Sequence, residues 1–211
     1  MRLSRLSAGF GAETTAFDAP FREIRDAFFA AQVLVFRGLR LSAGQFLEFA
    51  RRFGRPEPHV IDQFHHPEHA DILILSNRRK DGEPVGLADA GTYFHTDYSY
   101  LEVPARCTML YSIEVPAKGG DTLFADQYAA YDDLPAGMKR RIEGMPDDEA
   151  IALLDELKRH ATQEKYQLRL KYGVGDLVIW DNASLLHSAT LTDPEDPRTL
   201  WRITVKEERK P

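Results

Sequence analysis

One cysteine, Cys107, in 211 residues excludes an intrachain disulfide and suits a reducing compartment such as the cytoplasm. No stretch approaches the roughly 18 apolar residues that a bilayer-crossing helix needs. The N-terminus, Met1-Arg2-Leu3-Ser4-Arg5, lacks the apolar run of a signal peptide. There is no basic stripe either: the net charge is −6 and Lys/Arg alternate with Asp/Glu, so neither nucleic acid nor a membrane is an expected partner. Internal repeats, low-complexity tracts and dividing linkers are missing as well. The chain is therefore read as a single domain over 1–211, long enough to bury a core without disulfides or other staples.

What is present is a strand-rich pattern with helices near the start. Helical periodicity runs over 21–31 and 42–53, the second with Ser42 as candidate N-cap and Gly54 as stop. Val33-Leu34-Val35-Phe36 between them reads as a short buried strand. Further strands are expected at 72–76, 92–97, 107–114, 122–125, 166–172, 177–180 and 199–206, with glycine turns at 118–121 and 173–176. Cys107 falls in one of these strands, as a buried structural thiol rather than a nucleophile. A last helix is expected over 147–160, with Ile151, Leu154 and Leu157 on one side. Mainly β with peripheral helices (α+β) points to a double-sheet jelly roll, a cupin-like double-stranded β-helix whose interior can hold a metal.

Candidate ligands for such a metal are His95-Thr96-Asp97 and, far along the chain, His187 within Trp180-Asp181-Asn182-Ala183-Ser184-Leu185-Leu186-His187. In a strand or extended turn, residues i and i+2 point the same way, so His95 and Asp97 can grip one ion while Thr96 faces away. Two imidazoles and one carboxylate on one face of a metal are the facial triad of non-haem Fe(II) oxygenases. His-x-Asp alone is a weak signal, and a second copy, His69-Ala70-Asp71, follows His65-His66-Pro67-Glu68. Pro67 and the alternating charge mark that cluster as a polar loop. His95 instead lies among Tyr93, Phe94, Tyr98 and Tyr100, expected to form strand and line a pocket. Trp180, Tyr93 and Phe124 are expected as core or pocket wall.

Five motifs then occur in one order: His95-Thr96-Asp97, Gly119-Gly120-Asp121-Thr122, Gly175 to Asn182, His187, and Arg198-Thr199-Leu200-Trp201-Arg202. In this the chain resembles the taurine dioxygenase family, which includes 2,4-dichlorophenoxyacetate dioxygenase-like enzymes. The likeness runs from Val33 to Val205. It implies an Fe(II)- and 2-oxoglutarate-dependent dioxygenase in which His95, Asp97 and His187 bind iron. Arg198 matches the family's anchor for the far carboxylate of 2-oxoglutarate, which a planar guanidinium can grip with two hydrogen bonds. Thr122 matches a residue whose hydroxyl helps hold it. Without the resemblance, Arg198 reads as a surface charge after Asp193-Pro194-Glu195-Asp196-Pro197, and Thr122 as an ordinary β-branched strand residue.

Arg202, four residues on, would share a strand face with Arg198. The resemblance makes it a contact for the substrate's anionic group, and His59 a looser second one. Their plainer readings are a second salt-bridging arginine and an exposed loop histidine. The implied reaction consumes O2, releases succinate and carbon dioxide, and hydroxylates a small anionic substrate: a sulfonate, sulfate or carboxylate. A carboxylate at Asp97 fills the position a halide would need, which favours hydroxylation over halogenation. Family members often form dimers or tetramers, so a homo-oligomer is compatible, although no strip marks a pairing surface.

One departure stands out. Met138 to Gly144 runs almost directly into Met145-Pro146-Asp147, where family members carry several dozen residues of strand and lid. The expectation is a shortened or absent lid segment near 144–145. Two alternatives stay open: a relative with another oxidative outcome, such as desaturation or natural-product tailoring, and a non-catalytic jelly-roll binding protein.

Overall fold

In the computed structural model, which describes residues 1–88, 91–142 and 146–206, a large sheet faces a small one. The large sheet runs in the order Ser4–Arg5, Ala12–Thr14, Val33–Phe36, Leu177–Asp181, Ala105–Glu114, Thr199–Lys206, His69–Ser76, His65–His66, with Arg55–Glu57 also paired to Thr199–Lys206. The small one is Gln167–Leu170, Thr122–Asp126, Leu185–Ala189. Pairing is antiparallel except between Ala12–Thr14 and Val33–Phe36. This is the jelly roll expected from the strand pattern.

The large sheet is covered on both faces, and that explains its sequence. Val33, Val35, Leu75, Leu110, Val178 and Trp180 point toward the small sheet, meeting Phe124, Leu168 and Leu185. The alternate residues Leu34, Phe36, Met109, Leu177 and Ile179 pack instead under the helices, against Phe28, Phe46 and Phe49. A strand apolar on both faces reads as an unbroken run, as in Val33–Phe36. The helices Phe21–Ala31 and Ala43–Arg51 form that second layer. The latter starts at a full capping box, in which Ser42 Oγ accepts from the Gln45 N–H and the Gln45 side chain accepts from the Ser42 N–H. Its last helical residue is Arg51. Gly54 lies beyond, where a Cβ would collide with the Lys206 carbonyl. Cys107 is fully buried.

Several expectations need correction. Residues 92–97 form no strand: only His95 pairs, bridging His187, before the chain turns at Tyr98 with φ 53°. Aromatic residues gave 92–97 high β propensity, but the turn leaves no room for a ladder. The histidine cluster 65–69 is not a loop but the two arms of a hairpin, with His66 opposite His69 and their rings stacked at 5.6 Å. Trp201 meets His66 edge-on at 5.3 Å, an apolar support that the local sequence does not reveal.

The expected strand 166–172 is trimmed to Gln167–Leu170, because Glu164–Tyr166 is a 3-10 turn. Among the described side chains of the helix Asp147–Ala161 the buried one is Leu153, whereas Leu154 is 60% exposed. The side chain of Ile151 lies outside the described residues, as does the 144–145 junction. The strand Leu185–Ala189 was not anticipated, although it carries His187.

Replacing Ser42 by alanine should lower the unfolding free energy by about 1 kcal/mol through loss of the cap. Urea denaturation checks it, and metal binding should be unchanged because the cap lies on the helical layer.

Candidate metal centre

The two sheets bring the sequence-distant ligands together. His95 and His187 form one antiparallel bridge pair, exchanging N–H to carbonyl hydrogen bonds of 3.0 and 2.8 Å. Their imidazole centroids lie 4.3 Å apart. Asp97 sits between them, with Oδ1 3.7 Å from His95 Nε2 and Oδ2 3.6 Å from His187 Nε2. One ligand atom from each of the three lies within 4.8 Å of the others, the single such group among the described residues. The His69-Ala70-Asp71 repeat of the motif forms no such group.

Chemistry fits a divalent metal here. The Nδ1–H of His95 donates to the Tyr93 carbonyl at 2.8 Å, leaving Nε2 as the lone-pair nitrogen. Burial holds the His187 imidazole neutral, its pKa pushed down to about 3 despite the Asp97 charge. Burial would raise the Asp97 carboxyl, but the charge of Arg202 and contacts to His95, His187 and Thr108 hold it well below the usual carboxylate range. For His95, burial opposes protonation while Asp97 and the Tyr93 carbonyl favour it, with a net rise. An ionised carboxylate beside two imidazoles is the donor set that suits Fe(II).

Gly91 shapes the pocket for His95. Its φ is 81°, its carbonyl accepts from the Ala189 N–H, and a Cβ there would collide with Cε1 of the His95 ring. Glycine is needed both for the backbone and for the close approach.

Beside the triad lies a cavity of about 240 Å³, lined by His95, His187, Thr122, Arg198 and Arg202, with Trp180 and leucines as walls. Arg198 precedes the strand Thr199–Lys206 rather than lying in it, and a bulge follows at Thr199/Leu200. No ion pair among the described residues involves its guanidinium, and burial pushes its pKa down. Thr122 Oγ1 lies 2.8 Å from Tyr172 Oη, and burial drives that phenol up to about 12. Tyr172 was not singled out in the sequence; nothing there distinguishes it from seven other tyrosines.

Arg202 reaches the triad directly, donating to Asp97 Oδ1 at 2.6 Å, while its Nε is buried without a partner among the described residues. His59 lies in a smaller recess shared with Tyr98 and Arg202, its ring stacked 6.4 Å from that of Tyr98. Its pKa is lowered by burial and by the Arg202 charge. Phe124 and Trp180 are buried as expected, but Tyr93 and Tyr100 are 63% and 75% exposed. They are not pocket walls. Of the four aromatics around His95, Tyr98 is buried and Phe94 half-buried.

Comparisons with known proteins bear on the family and the fold. The family model described as taurine catabolism dioxygenase TauD, TfdA family matches residues 3–145 and 136–204. An alpha-ketoglutarate-dependent 2,4-dichlorophenoxyacetate dioxygenase of Burkholderia sp. (strain RASC) is 32% identical over 254 residues, covering 88% of this chain and 85% of that one. Pentalenolactone F synthase of Streptomyces arenae is 28% identical over 252 residues, covering 86% and 84%. Among solved structures, AAD-2 in complex with Mn(II) and N-oxalylglycine shares the fold with a TM-score of 0.83 at 24% identity, covering 99% of both chains. A taurine dioxygenase from Burkholderia xenovorans does so at 0.82 and 23%, covering 98% of this chain and 89% of that one.

Two outcomes are expected. Gly91→Ala should displace the His95 ring and weaken divalent-metal binding by roughly tenfold or more, read by calorimetric Mn(II) titration. For metal-free protein, an unfolded His187 takes a proton near pH 6.5, but the folded one only near pH 3. Between those values the unfolded state binds the extra proton, so stability is lost as pH drops, by up to about 1.4 kcal/mol per unit. His95, shifted the other way, acts on the alkaline side of 6.5 and does not mask this. Urea denaturation from pH 6.5 to 4.5 should show a shallower loss in His187→Gln; equal slopes would assign the effect elsewhere.

Proposed function

The chain belongs to the TauD, TfdA family of dioxygenases, and from that premise we propose that His95, Asp97 and His187 hold Fe(II), that Arg198 and Thr122 hold 2-oxoglutarate, and that Arg202 and His59 meet the anionic group of a small substrate. As a family member it is a 2-oxoglutarate-dependent non-haem iron dioxygenase, requiring Fe(II), 2-oxoglutarate and O2. The observation that carries the residue assignment is one cavity lined both by the two imidazoles and by an arginine that no carboxylate among the described residues neutralises.

Bound iron supplies oxygen activation, coupling oxidative decarboxylation of 2-oxoglutarate to succinate and carbon dioxide with hydroxylation of a substrate C–H. The chain's own residues do the placing. Arg198 offers a planar fork to the far carboxylate of 2-oxoglutarate, and the Thr122 hydroxyl, steered by Tyr172, adds a second contact. The leucine walls and Trp180 exclude water around both.

For the substrate, two donors converge. The unused Arg202 Nε is one. The other is His59: its Nδ1 accepts from the Ile61 N–H at 3.1 Å, so the neutral ring carries its proton on Nε2. A carboxylate is the anionic class favoured, in line with relatives named for 2,4-dichlorophenoxyacetate and (S)-phenoxypropionate. A different oxidative outcome is the second reading, favoured by the likeness to pentalenolactone F synthase.

We read 1–211 as one domain with a shortened lid near 144–145. Two facts support that: the family model matches in two pieces meeting at 136–145, and the alignment of 254 residues exceeds the 211 of the chain. A cytoplasmic location is part of the same reading, supported by the lone buried Cys107. No helix among the described residues is long and apolar enough to cross a membrane.

Anaerobic reconstitution with Fe(II) and 2-oxoglutarate should give a weak visible charge-transfer band. His187→Ala should lose the band and succinate release altogether; full activity there would overturn the triad. Arg198→Ala should raise the 2-oxoglutarate concentration needed by roughly 10- to 100-fold, the worth of a charged hydrogen-bonded pair; an unchanged requirement would move the anchor elsewhere.

A further inference from the structure

Asp97 stands almost symmetrically between the two imidazoles, one oxygen 3.7 Å from His95 Nε2 and the other 3.6 Å from His187 Nε2. Rotation about the terminal bond of an aspartate is soft and roughly two-fold. The ligands alone therefore do not decide how the carboxylate is turned. Two donors do: Arg202 on Oδ1 and the Thr108 hydroxyl on Oδ2, each at 2.6 Å. We propose, resting on the triad reading above, that Thr108 is a positioning residue whose hydroxyl fixes the rotation of the Asp97 carboxylate and so presents a set oxygen to the metal.

A threonine hydroxyl is ordinarily free to turn, so something must aim it. The Asn182 Nδ2–H donates to Thr108 Oγ1 at 3.0 Å, and the Trp180 Nε1–H donates to Asn182 Oδ1 at 3.0 Å. An indole N–H can only donate. Trp180 therefore fixes the amide of Asn182 with its oxygen toward the indole and its nitrogen toward Thr108. Thr108 Oγ1 then receives a proton from Asn182, and its own hydrogen goes to Asp97 Oδ2. Every polarity in the relay follows from the one group that has no choice.

The relay is built into the fold. Trp180 and Thr108 are cross-strand partners in the large sheet, and Asn182 follows at the end of the same strand as Trp180. Thr108, Trp180, Asn182 and Asp97 are all buried, at 0, 2, 6 and 6% exposure, so water cannot replace a missing link. The Trp180 ring also packs 4.7 Å from that of His187, and the Asn182 carbonyl accepts from Thr96 Oγ1 at 2.8 Å. Trp180-Asp181-Asn182 thereby braces two ligands that it does not itself supply. Partners of this kind typically change metal affinity by roughly 10- to 100-fold.

Calorimetric titration of the metal-free protein with Mn(II), with thermal melting of the same samples, tests this. Thr108→Val keeps the shape and removes the hydroxyl; its Mn(II) dissociation constant should rise roughly 10- to 100-fold, while Thr108→Ser, which keeps the hydroxyl, should stay within about threefold of the parent. A purely structural role would lower the melting temperature and leave the dissociation constant alone, which would overturn the proposal. Equal weakening in both variants would overturn it too, because packing and not the hydroxyl would then be responsible.

Should Thr108→Val fail to fold, Trp180→Phe keeps a ring against His187 while freeing the Asn182 amide. It should weaken Mn(II) binding, and parental affinity in that folded variant would overturn the relay. His187→Ala serves as the control: Mn(II) binding that survives it would remove the triad reading, whereas its loss beside a parental Thr108→Val would remove the positioning role alone.

Discussion

A charged carboxylate shut away from water dictates much of this molecule. Asp97 is ionised and almost fully buried, a state that is costly unless donors or cations meet both oxygens. Its partners come from three separate strands: Thr108 from Ala105–Glu114, His187 from Leu185–Ala189 and Arg202 from Thr199–Lys206. The first and last of these strands belong to the large sheet and the second to the small one, so Asp97 meets all three only when the sheets are face to face. The fold and the metal centre are thus one problem, and the charge at Asp97 ties the short loop after Gly91 to all three strands.

The same logic separates the roles of the acidic residues around it. Asp176, one residue after Gly175, is a clasp: it receives Arg37, the Gly38 N–H and the Gly173 N–H, fixing a turn to a neighbouring strand. Asp181 caps the turn before His187, accepting from the Ala183 N–H and the Ser184 hydroxyl. Asp121 takes Arg169. Each of these aspartates accepts from backbone N–H groups, a hydroxyl or an arginine, and none of the three touches an imidazole. Of these four, only Asp97 sits between two imidazole nitrogens, the setting that makes it a candidate ligand.

How far the sequence reveals this depends on the range of the interaction. Val33–Phe36 and Thr199–Lys206 were legible to the residue, because continuous or alternating apolar patterns are local records of burial. The grouping of His95, Asp97 and His187 was legible because few residue types bind iron and the motifs come in order. Residues 92–97 misled because propensity speaks for a strand while the turn at Tyr98 forbids one. Leu185–Ala189 was hidden inside a motif already absorbed by its histidine. Thr108 and Tyr172 matter through contacts with residues distant in sequence, and Gly91 through the fold of the His95 ring back over it; a glycine, a threonine and a tyrosine carry no mark of that in one chain. Leu154 shows the converse error: it was placed on the apolar face of its helix, yet it is exposed while its neighbour Leu153 is buried.

The two arginines of the cavity differ in a way that bears on what it accepts. Arg202 is neutralised by Asp97, whereas Arg198 has no acidic partner among the described residues. Fe(II) would add two positive charges and 2-oxoglutarate two negative ones, so together they leave the excess set by Arg198 untouched. One positive charge then persists in a largely water-excluded space, where an uncompensated ion is costly. A monoanionic substrate cancels it, and a neutral one does not. The Arg202 Nε is buried without a partner among the described residues, and His59 shares a small recess with that arginine. On the proposed placement of iron and 2-oxoglutarate, an anionic substrate would be favoured less by any one contact than by the charge that the cavity carries before the substrate arrives.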